Sequence, residues 1–390
     1  MNRAKKIILT GALTVAMAFA AVGCGASGNV QDDTGAANSG DSNGDITIAV
    51  AGPMTGDGAQ YGKAFKEGAE LAVEQFNAAG GYNGRKVKVI YGDDKNDPKE
   101  AANVAQNLSS NKDVVAVIGH WSSSATFAGI PIYQRNQVPM LAPTASTPSI
   151  TKPETTWIFR STNTQDTEGK NLADYAVNKL NKKKIAVLYL NSDWGKANAE
   201  FFKTNVEKLG GTIVSYESYP SGQNLDYSAS LTKVKGLNPD LLYIGSTYSD
   251  GVLIIKQAKA MNLNIPIMGP TTLASDGFLQ AKDAVEGVYL DSAFFPQSDR
   301  PEVQKFVSEF QQKYNHIPGT FNALCYDATN IVLESIKRGG PTRQGIRDAM
   351  AKIANFPVVT GTVTFNEIRS DNNKTYSDLV VKDGKFVLFH

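Results

Sequence analysis

The chain has 390 residues, with 39 basic and 38 acidic side chains and a formal net charge of +1. A balance this even argues against a nucleic-acid partner, because proteins that bind nucleic acids carry a clustered basic footprint. The length exceeds that of one typical domain, so two lobes are expected.

The N-terminal residues predict export. Three basic residues among the first six precede an apolar run over 7–22, which is shorter than a membrane span of about 20 residues and is typical of a secretory signal. The sequence Ala-Val-Gly-Cys at 21–24 resembles a bacterial lipobox, so 1–23 is predicted to be a lipoprotein signal peptide and Cys24 a lipid-attachment site. An ordinary signal peptide with a chance cysteine is the alternative. The segment 24–44, rich in Gly, Ser, Asn and Asp, is predicted to be a flexible tether.

From Asp45 onward the hydrophobic pattern alternates strands with amphipathic helices. The first half predicts strands at 46–50, 87–90, 114–118 and 139–142, and helices at 61–79, from 98, and at 126–134. After Arg160 the pattern predicts strands at 185–190, 212–216, 241–244 and 265–268, and helices at 168–181, 196–209, 228–234 and 251–261. Helices at 302–314, 323–336 and 343–354 then precede short strands near 358–365, 378–381 and 386–389. This alternation predicts an α/β fold of two doubly wound, Rossmann-like lobes with parallel sheets, which bind ligands beyond the carboxyl ends of their strands.

Two loops rich in small polar residues follow neighbouring predicted strands. The serine run at 122–124 comes at the start of a helix, and Pro-Thr-Ala-Ser-Thr-Pro at 143–148 follows the next strand. Hydroxyl groups and the free N–H groups of a helix start favour an anion. Capping of the helix would account for one of the three serines. Together the loops predict a site for a carboxylate.

Catalytic and cofactor motifs are absent from the sequence or misplaced in it. The G-x-G-x-x-G match at 23–28 lies at the predicted cleavage site, and the glycines at 56–62 are spaced one residue too far apart. A P-loop lysine, a G-x-S-x-G elbow and a Cys/His metal pattern are missing. Cys325 is expected to be a buried thiol without a disulfide partner. We therefore expect no enzymatic activity, no cofactor and no metal.

Short motifs recur in a specific order from about residue 45 to the end of the sequence. They include Ala-Gly-Pro-Met-Thr-Gly at 51–56, Ala-Gln-Tyr-Gly at 59–62, Asn-Ala-Ala-Gly-Gly at 77–81, Val-Ile-Gly-His at 117–120, Ala-Pro-Thr-Ala-Ser at 142–146, Asp-Trp-Gly-Lys at 193–196, Met-Gly-Pro at 268–270 and Pro-Gly-Thr-Phe at 318–321. In this order they resemble the branched-chain amino-acid-binding proteins of ABC transporters. The resemblance implies a type I periplasmic-binding-protein fold, in which two lobes joined by a three-strand hinge close like a Venus flytrap. It implies one lobe at 45–161 plus 291–365 and another at 162–290 plus 366–390.

The resemblance also implies roles for residues of the first lobe. Ser123 and Ser146 match the positions that hold the ligand carboxylate, and Ser122 lies beside them in the serine run. The carbonyl of Thr144 matches the position that receives the ligand ammonium. The positions that line the side-chain pocket match Tyr61, Trp121, Ala145 and Phe321.

The second lobe is expected to complete the site and departs from the family at one position. Trp194 stands where a tyrosine usually closes over the ligand, and Thr247 lies near an expected second ammonium contact. The family usually places an acid after Met-Gly-Pro to neutralise the ammonium, and here that position is Thr271. A hydroxyl gains less from a cation than a carboxylate does, because charge-assisted hydrogen bonds are about twice as strong as neutral ones. The candidate substitutes, each of which surface solvation would also explain, are Asp166, Asp193, Asp250 and Asp276.

These observations predict an extracytoplasmic solute-binding lipoprotein, anchored to the bacterial cell membrane through Cys24 and monomeric. It would deliver a small carboxylate-bearing ligand, an amino acid with a branched-chain or other apolar side chain, to the permease subunits of an ABC importer. Because Thr271 replaces the acid, an aromatic acid, an amide or urea is an alternative ligand. A ligand-sensing module of a partner receptor is a second alternative, although a receptor would be expected to continue into a membrane span and a signalling domain.

Overall fold

The computed structural model describes residues 44–220 and 226–390. The predicted signal peptide at 1–23, the lipid-attachment site Cys24 and all of the predicted tether except Gly44 lie outside these residues. No helix within the described residues is long and apolar enough to cross a membrane. The described chain forms two lobes, each built on its own large sheet.

The first lobe, here called the near lobe, is built on a five-stranded parallel sheet. Its strands are β1 (Ile46–Gly52), β2 (Val87–Asp93), β3 (Val114–Ile118), β4 (Met140–Ala142) and β5 (Ile158–Arg160), in the order β2-β1-β3-β4-β5. Its first helices are α1 (Ala59–Ala78), α2 (Pro98–Ser110) and α3 (Ser123–Arg135). Successive side chains of β1 point to opposite faces of the sheet, so Ile48 packs against α1 while Ala49 packs on the side of α2 and α3.

The second lobe, here called the far lobe, repeats the same strand–helix pattern. Its parallel strands are β6 (Lys184–Leu190), β7 (Thr212–Tyr219), β8 (Leu241–Gly245), β9 (Ile267–Gly269) and β10 (Tyr289–Ser292). Its helices are α4 (Gln165–Asp174), α5 (Asp193–Lys208), α6 (Ser228–Leu237), α7 (Tyr248–Ala260) and the short α8 (Asp276–Leu279). A π-helical turn over Tyr175–Lys179 extends α4.

After β10 the chain returns to the near lobe and then crosses back. The returning elements are α9 (Pro301–Tyr314), α10 (Thr320–Gly339), α11 (Arg343–Met350) and a hairpin of β11 (Phe356–Val358) and β12 (Gly361–Val363). Two final strands, β13 (Ser377–Lys382) and β14 (Lys385–Leu388), complete a far sheet of order β14-β13-β10-β9-β8-β6-β7. The chain therefore passes between the lobes three times, at 161–164, 293–300 and 364–376.

The predicted α/β fold of two doubly wound lobes is confirmed, and several local predictions are wrong. The single strand expected at 358–365 is a hairpin, because the chain reverses direction at Val359 and Thr360. Gly361, which follows the turn, has a φ of +127°, which suits a residue without a Cβ. The short strands β5 and β10 were not predicted. Helix α3 begins three residues before the expected start, and α11 ends at Met350 rather than at 354.

Candidate functional site

The cleft between the two lobes contains two adjoining cavities. The large cavity, of about 350 Å³, is lined by loops that follow strands of both sheets. The small cavity, of about 40 Å³, shares Thr144, Trp194, Thr272 and Phe321 with the large one. Of the predicted site residues, those that line one or both cavities are Trp121, Ser122, Thr144, Ser146, Trp194, Thr247, Thr271 and Phe321.

The three serines of the first loop have three different environments. The hydroxyl of Ser122 caps α3 by accepting the Ala125 N–H at 3.3 Å, which is the capping alternative that the sequence left open. Ser123 is fully buried, and its hydroxyl accepts the N–H of Thr147 at 3.3 Å. Ser124 donates to the carboxylate of Asp193 at 3.0 Å and thereby links the near lobe to the far lobe.

The second loop packs against the first. The hydroxyl of Thr144 donates to the carbonyl of Trp121 at 2.7 Å, and the Ser123–Thr147 hydrogen bond joins the same two loops a few residues further along. Ala145 is buried in the core and lines neither cleft cavity. Ser146 lines the small cavity, and its hydroxyl has no hydrogen-bond partner within 44–220 and 226–390. This loop therefore presents one unpaired hydroxyl to the cleft.

A cluster of three aromatic rings forms the near wall of the cleft. Tyr61 and Trp121 stack with their ring centroids 3.9 Å apart and their planes inclined by 15°, and Phe321 packs edge-on against Tyr61 at 4.8 Å. Trp121 and Phe321 line the large cavity, whereas Tyr61 lies behind them and lines neither cleft cavity. Stacking on Tyr61 thus fixes the orientation of the Trp121 indole.

The hydroxyl of Tyr61 bridges the two lobes. It donates to the carbonyl of Thr272 at 2.9 Å and accepts the N–H of Tyr248 at 2.9 Å, and both partners belong to the far lobe. Burial raises the pKa of the Tyr61 phenol well above its usual value, so the group stays a neutral donor. With the Ser124–Asp193 bond, these contacts hold the lobes together across the cleft.

The predicted residues of the far lobe are placed by their own helices and strands. Trp194 lies in the first turn of α5, lines both cavities, and accepts a hydrogen bond at its carbonyl from the Gln165 side chain at 2.6 Å. Thr247 caps α7 by accepting the Asp250 N–H at 3.4 Å and lines the large cavity. The hydroxyl of Thr271 donates to the carboxyl of Asp291 at 2.9 Å, so this hydroxyl is already engaged inside the far lobe.

The residue that the sequence interpretation missed is Glu168. It lies in the first turn of α4, is only 5% exposed, and lines the small cavity beside Ser146 and Thr271. The hydrophobic pattern identified Glu168 only as the first residue of a predicted amphipathic helix. The available signal was its position four residues before Leu172 on a face that is apolar further along, which should have marked it as a buried acid.

The four acids considered as substitutes at Thr271 lie in different places. Asp193 lines the large cavity but is exposed, and Asp166 is exposed and lines neither cleft cavity. Asp250 accepts hydrogen bonds from two tyrosine hydroxyls of the far lobe. Asp276 faces His316 at 3.6 Å away from both cleft cavities. Of these four, only Asp193 borders the cleft cavities.

Two further groups that resemble reactive sites lie inside the near lobe. His120 contacts the Asp94 carboxylate at 2.6 Å and the Tyr133 hydroxyl at 3.1 Å, and all three side chains are fully buried. Cys325 is a free, buried thiol whose pKa is raised by burial. Within the described residues no cluster of three or more His, Cys, Asp or Glu side chains is arranged to hold a metal ion.

Comparisons with known proteins show which chains share this architecture. A family model described as periplasmic binding protein matches residues 45–382. The leucine-, isoleucine-, valine-, threonine- and alanine-binding protein of Pseudomonas aeruginosa is 32% identical over 83% of this chain and 86% of its own length.

Two solved structures extend this similarity to three dimensions. The substrate-binding protein LivJ of a branched-chain amino acid transporter from Streptococcus pneumoniae, solved with isoleucine, is 32% identical and superposes with a TM-score of 0.82 over 88% of this chain and 97% of its own. The leucine-binding protein LivK from Thermotoga maritima is 28% identical, with a TM-score of 0.83 over 88% of this chain and 98% of its own.

Proposed function

The chain belongs to the branched-chain amino-acid-binding proteins of the periplasmic binding protein family, and from that premise we propose that it binds an amino acid for transport. It closes its two lobes on a free amino acid with an apolar side chain and delivers it to the permease of an ABC importer. The observation that carries this proposal is the large cavity, whose walls come from both lobes and combine aromatic rings with hydroxyl groups.

The size and lining of the large cavity support a sizeable apolar side chain. An engineered apolar cavity of about 150 Å³ holds benzene, and this cavity has about 350 Å³. Its apolar lining comes mainly from Trp121, Trp194 and Phe321, with Pro98 and Leu190 at its edge. Burial of an apolar side chain among these residues contributes about 25 cal/mol for each Å² removed from water.

The ligand contacts the near lobe first and the far lobe second. The near lobe offers the carboxylate the hydroxyl of Ser146 and the loop that Ser123 holds in place. The far lobe then brings Trp194 over the ligand, and the Tyr61 hydroxyl gains its two bonds to far-lobe backbone groups. Because only the closed form makes both sets of contacts, the ligand shifts the population towards closure.

The remaining parts of the proposal rest on the sequence. We place lipid attachment at Cys24 after removal of 1–23, with the tether at 24–44. The expected lobes, 45–161 plus 291–365 and 162–290 plus 366–390, need one adjustment: because β10 pairs within the far sheet, we assign Asp291 to the far lobe. The protein acts outside the cytoplasm as an anchored monomer. Its relatives are binding proteins rather than enzymes, and we assign it no catalytic role.

An aromatic or aliphatic acid without an amino group is the second candidate ligand. The observation that favours it is the hydroxyl of Thr271, which stands in the place of the expected acid and donates to Asp291. Such a ligand would use the hydroxyls of the near lobe and the aromatic wall and would need no partner for an ammonium group.

Thermal melting of the refolded, ligand-stripped protein with a panel of solutes tests the proposal. The panel pairs L-leucine, L-isoleucine, L-valine and L-phenylalanine with their deaminated acids, and adds polar amino acids, benzoate, short amides and urea. A ligand at 100 times its Kd stabilises the fold by about 2.7 kcal/mol, a readily measured shift in Tm. We expect the apolar amino acids to raise the Tm and their deaminated acids to leave it unchanged. Equal or larger shifts with the deaminated acids, benzoate or urea would replace the amino-acid assignment.

A further inference from the structure

The small cavity brings an acid of the far lobe next to a hydroxyl of the near lobe. Glu168 lines it from one side and Ser146 from the other, with Thr271 beside the acid. At about 40 Å³ the cavity suits a charged head group rather than a side chain, and it adjoins the large cavity, with which it shares four lining residues. An α-amino acid carries its carboxylate and ammonium on one carbon, so both groups must be recognised in one such space.

The Glu168 carboxylate is held in a fixed orientation. Its Oε1 accepts the backbone N–H of Thr271 at 3.1 Å, and its Oε2 accepts the Asn198 side-chain N–H at 3.1 Å. Asn198 is itself fixed, since its Oδ1 accepts the Tyr243 hydroxyl at 2.6 Å. An ionised carboxylate has about four acceptor positions, so two remain on Glu168 for a further donor.

The charge around Glu168 is acidic. Asp291 lies next to it, is fully buried and accepts a hydrogen bond from the hydroxyl of Thr271 at 2.9 Å. The negative charges of Glu168 and Asp378 lie close enough to act on Asp291. Burial raises the pKa of both Glu168 and Asp291, and for Asp291 the charge of Glu168 raises it further. Two buried carboxyls without a cation are costly to ionise together, so a cation that enters the cavity is strongly favoured.

The near side of the cavity supplies an independent sign of a ligand. Ser146 is 9% exposed, and its hydroxyl faces the cavity without a partner among residues 44–220 and 226–390. This hydroxyl is accessible from the cavity, so it can donate to a ligand acceptor such as a carboxylate. The rival acid Asp193 lines only the large cavity, is exposed, and accepts a bond from Ser124.

From these contacts we infer that Glu168, rather than an acid at position 271, binds the ammonium group of the amino-acid ligand. Thr271 then has a positioning role, since its N–H orients Glu168 and its hydroxyl orients Asp291. This inference rests on the proposed amino-acid function and names the residue that distinguishes an amino acid from a plain carboxylic acid. The two charges of the ligand are thereby held by different lobes, with the carboxylate on the near lobe and the ammonium on the far lobe.

Calorimetric titration of Glu168→Gln with L-leucine and with 4-methylpentanoate, its deaminated analogue, tests the inference. Loss of one partner of a buried charge pair costs about 2 kcal/mol or more, so we expect leucine to bind about thirtyfold more weakly or worse. The analogue should bind the variant at least as tightly as it binds the wild type, because an unfavourable carboxylate–carboxylate contact is gone. The matched control Asp166→Asn removes an exposed acid of the same helix that lines neither cleft cavity, and it should change leucine affinity by less than about threefold.

The outcomes separate this inference from the proposed function. Unchanged leucine affinity in Glu168→Gln, or an equally large loss in Asp166→Asn, would overturn the inference and leave amino-acid binding intact. A wild type that binds 4-methylpentanoate but none of the four apolar amino acids would overturn both. Circular dichroism and thermal melting of Glu168→Gln without ligand show whether the variant is folded.

The wild-type protein provides a second measurement if the variant does not fold. Burial raises the pKa of Glu168, and protonation of its carboxylate competes with the ammonium, so leucine affinity should fall as the pH is lowered through that raised pKa, while affinity for the analogue does not fall. The other titratable groups that face this site are Asp291, Asp378, Tyr243 and Tyr376. The tyrosines stay neutral during this titration, since burial raises their pKa values well above the usual value. Leucine affinity that is independent of pH would contradict the assignment.

Discussion

The two cavities of the cleft are built on different physical interactions. The large cavity is walled by aromatic rings whose positions depend on packing, as in the stack of Trp121 on Tyr61. The small cavity is walled by polar groups whose positions depend on hydrogen bonds, as in the pair that fixes Glu168. Apolar burial is not directional, whereas hydrogen bonds and charges are. Under the proposed function, the small cavity would set the chemical class of the ligand and the large cavity would set the range of side chains.

Replacement of Trp121 by alanine has the largest expected effect. The indole is 6% exposed and stacks at 3.9 Å on a buried tyrosine, so its loss should lower the free energy of unfolding by about 3 kcal/mol or more. Trp194→Ala is the matched control, because Trp194 lines the same cavity but is only half-buried. We expect it to weaken leucine binding with a clearly smaller loss of stability. Denaturant unfolding measures the stability of both variants. Equal losses of unfolding free energy in Trp121→Ala and Trp194→Ala would show that packing does not fix the near wall.

Removal of the Ser123 and Ser146 hydroxyls tests the role of the small cavity in ligand binding. The double variant Ser123→Ala, Ser146→Ala should weaken leucine binding at least about tenfold, or about 1.4 kcal/mol. The variant with only Ser146→Ala should keep its stability, whereas Ser123→Ala loses the acceptor of the Thr147 N–H and about 1 kcal/mol.

A buried serine far from the cleft serves as the control for this pair. The hydroxyl of Ser335 donates to the carbonyl of Ile331 within α10, so Ser335→Ala should leave leucine affinity unchanged. Calorimetric titration of all four variants measures the affinities. Unchanged affinity in the double variant would remove the carboxylate site from this loop.

Tyr61→Phe has the smallest expected effect, because the ring and its stack on Trp121 remain. The variant loses a donor to the Thr272 carbonyl and an acceptor of the Tyr248 N–H, two bonds that join the lobes. Both bonds are only part-buried, so each contributes about 0.5 kcal/mol, the low end for a neutral hydrogen bond, and loss of both should lower leucine affinity by about fivefold. Small-angle scattering with and without leucine measures closure directly. A variant that closes as completely and binds as tightly as the wild type would show that packing alone drives closure.

The fold was predictable because its signals are local. The alternation of apolar runs with amphipathic helices predicted both lobes, and the serine run and its following helix predicted the first loop. Strands β5 and β10 were missed because strands of three and four residues carry too little periodicity to be separated from a loop. The hairpin whose turn precedes Gly361 was missed because a single glycine at positive φ is the only interruption at 358–365 in a run of valine, threonine and phenylalanine, which all favour strands.

The candidate site was predictable only in part, since its polar end depends on contacts between distant segments. Glu168 and Thr271 are separated by about a hundred residues of sequence, and their hydrogen bond exists only because α4 and the end of β9 meet in the far lobe. The role of Tyr61 was misplaced for the same reason. The resemblance to the family implied a pocket residue, whereas its hydroxyl reaches across to the far lobe from behind Trp121.

Trp121 and Trp194 face each other across the large cavity, so intrinsic tryptophan fluorescence can report ligand binding. The chain contains three tryptophans, and two of them line the large cavity from opposite lobes. The third, Trp157, is buried beside β5 in the near lobe and lines neither cleft cavity, so its emission provides a steady background. Displacement of water from two indoles by one bound molecule should shift the intrinsic fluorescence spectrum. Transport ligands can therefore be screened in unlabelled protein, and a label-free biosensor follows from the native sequence.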